Sequence, residues 1–430
     1  MPSLKQPRQQ WPRGPKNDLH RAAEDGSTER TEAVLSRGLI NIDQGDPKGR
    51  TPLMIAAQGG YSCVARILLD RGAKVSITRD GGWSALHLSA LNEDLAVTAD
   101  LIKAGADMDA RNFEGATPLT LAAQLGHSEV MSALIEAGAD VDTGAADGST
   151  PLYVAAFHGR LKAVRQLLRA KANPLLVKKK LSGETNVPLD AAAEGGDSNV
   201  VRELIQQFGI EGCAGASGGV DALAAAAETG HVDAMTVLIN AGVVDTGRAL
   251  VFAAGGGGEM AVKFLLQQRR LQASPIGLKR YVNFRDPFGS TPLFRSTVIC
   301  PSPRVVRWLV DAGADTALSF RVKTVEGDVS NVGAPLACTS DCLREKKLGG
   351  EEITEEQLHR LEAIRRLLLR QEAVHAASWL WHNSSDFPSI AKATKTTPAS
   401  STQLSLMLPI LRPRRRGALL APLLRYSSHP

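Results

Sequence analysis

The sequence predicts an all-α solenoid, in which short helix pairs stack one after another along the chain. Segments of the same pattern start at 33-residue intervals, at Arg50, Trp83, Ala116 and Ser149. Each is followed by a second apolar run at helical spacing. Aromatic residues make up only 4% of the chain, which suits a core of Leu, Ala and Val between closely packed helices. A fixed period of this length is typical of repeat proteins, whose units contact mainly their neighbours.

The unit that starts at Ala116 shows why each repeat should form two helices. Thr117 can cap a first helix, and proline is tolerated at the helix's first position, where Pro118 stands. Leu119 is expected to point into the core. Gly126 can end the helix in a left-handed conformation without strain. The apolar positions within 130–135 then predict the buried face of a second, antiparallel helix.

The same register extends beyond the four regular units. In the regular units, two apolar residues of the second helix fall 15 and 16 positions after the leucine of the first helix. The first-helix leucines identified in this way are Leu19, Leu53, Leu86, Leu119, Leu152, Leu189, Leu223, Leu250, Leu293 and Leu336. The units at Leu293 and Leu336 depart from the spacing. The array is therefore predicted to be regular to about residue 175 and degenerate from 176 onward.

These motifs resemble the ankyrin repeat. The resemblance is carried by RTPLMIAAQGG from Arg50, ATPLTLAAQLG from Ala116 and STPLYVAAFHG from Ser149, and it spans about residues 18–373. It implies helix-turn-helix units joined by hairpin-like loops. It also implies a protein–protein interaction scaffold or adaptor that binds a protein of unknown identity through the concave face. The family often has His after the first-helix leucine, and in this chain only His20 and His87 keep it.

Candidate binding residues follow from the same resemblance, because ankyrin contacts usually come from the loop tips and from the exposed face of the first helix. At the tips these residues are Arg50, Trp83, Phe113 and Glu114, and on the helices they are Gln58, Leu91, Gln124, Leu125, Phe157 and His158. Trp83, Phe113 and Phe157 stand out because aromatic residues are scarce in this chain and interface hot spots favour rigid aromatic anchors. The alternative is that each packs on its neighbouring repeat.

The predicted organisation has three parts. Residues 1–17 are expected to be a basic, disordered N-terminus, 18–376 the repeat array, and 377–430 a disordered Ser/Thr/Pro-rich tail. Within the array, 173–186 and 269–289 are inserted connections, and insertions in solenoids often map to the binding face. A closing helix is predicted over 353–376, with Thr354 and Gln357 as a capping box.

Charge and cysteine content narrow the class of protein. The net charge of +5 comes from the tails, since 1–17 carry four Lys/Arg and 388–430 carry seven, both without acids. The remaining residues, 18–387, therefore carry a net charge of −6 (5 − 4 − 7), and an acidic surface argues against a protein that wraps nucleic acid. The alternative function is therefore binding of anionic lipid or nucleic acid through the basic C-terminal tail. Five scattered cysteines predict an intracellular protein, cytoplasmic and possibly also nuclear, and the lack of a long apolar run predicts that it has no transmembrane segment. The protein is expected to be a monomer.

Motifs that could carry chemistry have simpler interpretations. Gly256, Gly258 and Ala261 fit a dinucleotide fingerprint, but the preceding run is in register as a first helix, so these glycines are predicted to form a degenerate inter-helix turn. Ser217 lies in a G-x-S-x-G match that precedes another first helix. Cys338 and Cys342 are predicted to be ordinary thiols. No catalytic, cofactor-binding or metal-binding residue is predicted, and the chain is not expected to be an enzyme.

Overall fold

The fold was derived from a computed structural model. The structure describes residues 14–38, 40–179, 185–214, 217–272, 274–287, 289–318, 320–323, 329–332, 335–336, 339–340, 347–348, 351–352 and 354–382. The chain divides into two compact units, Met1–Gln268 and Arg269–Pro430, and each is described by itself.

The first unit consists of stacked helix pairs, as predicted. The pairs, in chain order, are α1 (Asp18–Glu24) and α2 (Thr28–Ser36), α3 (Pro52–Gly59) and α4 (Ser62–Asp70), α5 (Ala85–Leu91) and α6 (Leu95–Lys103), α7 (Pro118–Leu125) and α8 (Ser128–Glu136), α9 (Pro151–Phe157) and α10 (Leu161–Arg169), α11 (Pro188–Gly195) and α12 (Ser198–Ala214), and α13 (Val220–Thr229) and α14 (Val232–Asn240). The last pair is α15 (Arg248–Gly256) and α16 (Glu259–Gln272), of which α16 continues past the division.

Local sequence chemistry sets the helix ends. The hydroxyl of Thr117 accepts a hydrogen bond from the Thr120 amide at 3.2 Å, and Pro118 takes the first helical position. Gly126 ends α7 with a φ of 81°. Thr51 and Thr150 cap α3 and α9 in the same way. The capping roles predicted from the repeat pattern are confirmed.

The core of the first unit runs along the stack. Each first helix contacts the first helix of the next repeat, from α1 to α15, and each second helix contacts the next second helix, from α2 to α14. The first-helix leucines from Leu19 to Leu250 are buried, and so are the small pairs beside them, which are two alanines in every repeat except that of Leu86, where the pair is Ser89–Ala90. Small side chains at those positions permit the close approach of adjacent helices. The all-α ankyrin-type solenoid is confirmed.

Two features of this unit were not anticipated. The connection 173–186 carries a short antiparallel ladder, in which β1 (Lys178–Lys179) pairs with β2 (Thr185–Asn186). Helix α12 is broken at Gly209, whose φ of 68° and ψ of 169° are non-helical. A backbone angle of this kind is accessible to glycine at little cost.

The second unit holds the inserted and degenerate part of the array. Its helices are the end of α16, then α17 (Pro275–Val282), α18 (Pro292–Val298), α19 (Pro303–Asp311) and α20 (Glu355–His382). Its short strands are β3 (Phe320–Lys323), β4 (Val329–Val332), β5 (Lys347–Leu348) and β6 (Glu351–Glu352). Leu293 is buried in α18, whereas Leu336 is only half-buried, and several residues that follow it lie outside the described residues.

The closing helix differs slightly from its prediction. It begins at Glu355 and extends to His382, six residues beyond the predicted end. The Thr354–Gln357 capping box is present, because the Thr354 amide donates to Gln357 Oε1 at 3.0 Å and the Gln357 amide donates to Thr354 Oγ1 at 3.3 Å. The N-terminal residues 1–13 and the tail 383–430 lie outside the described residues, so the disorder predicted there stays a prediction. Residues 377–382, which were predicted to belong to the disordered tail, are instead the last residues of α20.

Candidate protein-binding surface

The loop tips of the regular repeats stack on one another through main-chain hydrogen bonds. The Phe113 amide donates to the Gly81 carbonyl at 2.7 Å, and the Ala146 amide donates to the Glu114 carbonyl at 2.9 Å. Each tip is closed by its own bond, such as that from the Asn112 amide to the Ala116 carbonyl at 3.1 Å. Three adjacent tips therefore form one continuous edge of the first unit.

Trp83 and Phe113 occupy neighbouring tips on this edge. The Trp83 ring is half-buried, because it packs edge-on against His87 at 5.8 Å and the Arg79 guanidinium lies 5.3 Å from its centroid. Phe113 is 75% exposed. Glu114, beside it, is exposed as well. The edge thus presents one aromatic ring that is held by its neighbours, with the Arg79 guanidinium over it, and one aromatic ring that is largely exposed.

Arg50 has a structural role at the first regular tip. Its guanidinium bonds to Asp46 Oδ2 at 3.0 and 2.8 Å and lies 3.2 Å from Glu24 Oε1. Burial alone would raise the pKa of Asp46, but the Arg50 and Lys48 amides and the Arg50 guanidinium together hold that pKa below its usual 3.8. A partner contact by Arg50 stays a prediction, and the charge that it would offer is already largely neutralised.

A second group of predicted residues lies at the opposite ends of the first helices. Gln58, Leu91, Gln124 and Phe157 recur every 33 residues at the ends of consecutive first helices. Gln58 is exposed, Gln124 is half-buried, and Leu91 and Phe157 are a little over one-third exposed. Since packed helices lie 8–10 Å apart, the row is about 30 Å long.

Leu125 and His158 extend this row by one residue. Leu125 is partly exposed, and the exposed His158 ring packs edge-on against Phe157, with centroids 5.2 Å apart. Burial, followed by the charge of Arg160, lowers the pKa of His158. The ten predicted residues therefore form two groups, one at the loop tips and one at the helix ends, and Phe157 is not brought beside Trp83 and Phe113.

The long connection makes contacts that the sequence did not predict. The Lys178 ammonium lies 5.1 Å from the centroid of the Tyr153 ring and 3.1 Å from Asp147 Oδ2. Burial raises the pKa of Tyr153 to about 12. Arg79 was also missed, although its spacing of 33 residues from Asp46 and from Asn112 marks it as a tip residue. Lys178, the first lysine of the basic run, is thus engaged within the array.

The sequence motifs that could have indicated catalysis or cofactor binding form ordinary local structure. Ser217 donates its hydroxyl to the Ala214 carbonyl at 3.0 Å, whereas a nucleophilic serine would hydrogen-bond to a base. Gly256 and Gly257 lie at the end of helix α15, so the dinucleotide interpretation is not supported. Cys63, Cys213 and Cys300 are free thiols, and Cys338 and Cys342 lie outside the described residues.

Two further features are absent from the described residues. In that part of the chain, no three His, Cys, Asp or Glu side chains are grouped so that they could hold a metal ion. Within the same residues, no helix combines the length and the apolar character that crossing a membrane requires.

Comparison with known proteins agrees with this architecture. A family model described as ankyrin repeats (3 copies) matches residues 19–112 and 86–178. The chain is 42% identical over 74 residues to palmitoyltransferase AKR1 of Candida glabrata. It is 36% identical over 94 residues to the E3 ubiquitin-protein ligase KEG of Arabidopsis thaliana, and 39% identical over 64 residues to the human ankyrin repeat domain-containing protein 13B. Together with the fold, these matches show that the chain contains ankyrin repeats, over residues 19–178.

The matched segments are short. They cover 17%, 21% and 15% of this chain and only 10%, 6% and 10% of those three relatives. The match to the palmitoyltransferases falls within the ankyrin region. Ankyrin repeats are non-catalytic and are typical of protein–protein interaction, so the enzymatic activity named for the palmitoyltransferases is not carried over by this match.

Proposed function

We propose that this chain is a scaffold or adaptor that holds a protein partner on the loop tips and first helices of its regular repeats. One observation carries the proposal. Phe113 is 75% exposed at a loop tip, in a protein in which only 4% of residues are aromatic. A ring in that position adds little to the core, whereas burying it under a partner would contribute about 1.5–3 kcal/mol.

The neighbouring tip supports an anchor of this kind. Trp83 is held in place by Arg79 and His87, so a partner that stacks on it would lose little side-chain entropy on binding. Arg79 also brings a guanidinium over the ring. We infer that the partner presents an apolar side chain to Trp83 and Phe113, with an acceptor for Arg79 beside it.

The helix ends supply the second half of the proposed surface. Leu91, Leu125 and Phe157 are each partly exposed, and they lie on three successive first helices. Partly buried apolar groups around a free anchor are typical of interfaces in which a few residues dominate the binding energy. We propose that the partner spans both groups and that the activities named for the relatives are not carried by this stretch of repeats.

The proposal is tested by affinity capture with the full chain and two triple variants, followed by mass spectrometry. The first variant changes Trp83, Phe113 and Phe157 to Ala. The matched control changes Phe208, Val244 and Met260 to Ala, which are exposed apolar residues outside the regular repeats. Phe208 and Met260 lie on second helices, and Val244 lies in the short connection between α14 and α15. Circular dichroism first verifies that both variants keep the helical content of the wild type.

The proposal predicts a protein that the wild type and the control capture and that the first variant loses. Phe113→Ala alone should lower the affinity for that protein by at least about tenfold without lowering the unfolding midpoint, since the ring is hardly packed. If both triple variants capture the same proteins as the wild type, the proposed surface is wrong. Capture that depends only on residues 388–430 would instead favour the anionic-partner alternative.

A further inference from the structure

The inserted connection between α16 and α18 is strongly basic. From Arg269, at the end of α16, to Arg285 the chain has five Lys or Arg residues and no acid. Arg270, Lys279 and Arg280 are exposed, and Arg269 is half-buried over the Tyr281 ring at 5.2 Å. The insertion therefore carries a concentrated positive charge, although the array as a whole is acidic.

Two large apolar side chains project from the same segment. Leu271, near the end of α16, is 85% exposed, and Ile276, in the first turn of α17, is 71% exposed. They lie on either side of the short connection between the two helices. Arg270 directly precedes Leu271, while Lys279 and Arg280 follow Ile276 within about one helical turn.

Helix α17, which carries Ile276, is anchored at both ends. The Ser274 hydroxyl accepts from the Gly277 amide at 3.2 Å and so caps the start of α17. At its other end, Tyr281 and Val282 are buried. Asn283 donates to the Gly313 carbonyl at 3.1 Å and accepts from the Asp315 amide at 2.7 Å, which joins α17 to the following repeat.

We propose that this segment docks on the surface of a lipid bilayer that contains anionic lipids. The docking surface, which we call the basic apolar projection, consists of Arg270, Leu271, Ile276, Lys279 and Arg280. Aliphatic side chains flanked by cations are the pattern of interfacial membrane segments. The cations attract anionic headgroups, and the aliphatic groups enter the boundary of the acyl region.

Other anionic partners fit the projection less well. Single-stranded nucleic acid is usually held by aromatic rings that stack on its bases, and in the projection the exposed apolar side chains are Leu and Ile. A soluble phosphate would be held by the cations alone and would leave both aliphatic groups in water. The bilayer is the anionic surface that uses both halves of the projection.

A second basic surface provides a matched comparison. Lys162, Arg165 and Arg169 are exposed along α10, and Arg202 is exposed on α12. Helix α10 has no large apolar side chain that is strongly exposed beside these cations. If charge alone were sufficient for docking, reversing these cations would matter as much as reversing those of the projection.

The test uses the full chain in vesicle co-sedimentation, with phosphatidylcholine vesicles and with phosphatidylcholine–phosphatidylserine vesicles. One variant combines Leu271→Asp and Ile276→Asp, and its control combines Val244→Asp and Met260→Asp, at residues 69% and 65% exposed. A second variant reverses Arg270, Lys279 and Arg280 to Glu, and its control reverses Lys162, Arg169 and Arg202. Each pair has the same change in net charge.

The proposal predicts binding to the anionic vesicles that falls at least about tenfold in both projection variants and by much less in their controls. Hydrogen exchange in 269–282 should also slow when anionic vesicles are added, which locates the contact independently of any attraction by the basic tail. Equal losses in variants and controls, or unchanged exchange in 269–282, would overturn the proposal. Binding of inositol hexakisphosphate as strong as that of the vesicles would overturn it as well.

Discussion

The imidazole of His87 joins two repeats, because its Nε2 lies 3.1 Å from the main-chain carbonyl oxygen of Ala116. Its other nitrogen, Nδ1, lies 3.2 Å from the Ser84 amide and 2.8 Å from the Ser84 hydroxyl. Since an amide can only donate, Nδ1 must accept, and Nε2 carries the proton. The arrangement therefore requires a neutral imidazole.

This bond predicts a pH dependence of stability. Burial lowers the pKa of His87 below its usual 6.5, although the Ala116 carbonyl and Asp107 act in the opposite direction. The unfolded chain then binds a proton more readily than the folded one, so the contribution of His87 is fully present above pH 6.5. It is lost progressively as the pH falls from 6.5 toward the folded-state pKa. Urea unfolding at a series of pH values should show the decline.

The matched variant is His87→Thr, since Thr120 occupies the same position in the next repeat and pairs with Thr117 at 3.0 Å. The variant should have a lower midpoint at neutral pH and a smaller decline between pH 7 and 5, with His20 providing part of what remains. An NMR titration of the His87 ring should give a pKa below 6.5. A wild type and variant with parallel pH profiles would contradict the assignment.

Lys171 is predicted to be a point of removable strain. It has a φ of 66°, at the position where neighbouring repeats have Gly72, Gly105 and Gly138. A side chain in the left-handed region costs about 1–2 kcal/mol relative to the right-handed one. We expect Lys171→Gly to raise the free energy of unfolding by about 0.5–1 kcal/mol, after allowing for the greater flexibility of glycine in the unfolded chain.

A substitution to glycine within the preceding helix, α10, is the control for that variant. Lys162→Gly removes a similar exposed side chain from the regular turns of α10 and should lower the stability by up to about 1 kcal/mol. Both are measured by urea unfolding at the same pH and salt concentration. A fall in stability with Lys171→Gly would show that the side chain contributes more than its backbone strain costs.

The repeat period explains why much of the fold could be predicted from the sequence. A spacing of 33 residues identifies the capping residues and the buried leucine of each regular unit, since those positions face the same neighbour in every repeat. The helical nature of 275–282 could not be predicted in this way, because the insertion has no counterpart in other units. Its pattern is too short for periodicity to distinguish a helix from a loop.

The candidate site was predicted in composition but only partly in arrangement. Sequence position places Arg50 and Trp83 at equivalent tips, yet Arg50 is engaged by Asp46 while Trp83 remains available. That difference depends on an aspartate that the neighbouring tips replace with Arg79 and Asn112, and on distances that no period specifies. For the same reason, the separation of Phe157 from the two tip aromatics became visible only in three dimensions.

The glycines at the end of α15 show most clearly what the sequence left open. A degenerate turn was predicted, and Gly257 does end the helix with a φ of 75°. Gly256, however, lies within α15, against the preceding first helix α13. A Cβ atom added there would stand 2.0 Å from the Glu228 carbonyl oxygen. This glycine is thus required by the close packing of two helices.

Gly256→Ala should therefore destabilise the stack locally. Because the obstructing atom belongs to the backbone, α13 and α15 must move apart, and overpacking of this kind costs about 1–3 kcal/mol. The control is Gly212→Ala, also within a helix, where the nearest atom to the added Cβ is Phe208 Cβ at 3.1 Å. There the higher helix propensity of alanine should offset most of the crowding.

Hydrogen exchange is the appropriate measurement for this pair, because repeat arrays can open in parts rather than all at once. With Gly256→Ala, the amides of α13 and α15 should exchange faster by about tenfold or more, while those of α5 and α7 keep their wild-type rates. Uniform acceleration across the first unit would mean that the array unfolds as one cooperative body. Unchanged rates in α13 and α15 would mean that the alanine side chain is accommodated without destabilising the two helices. Their close packing would then not require glycine at position 256.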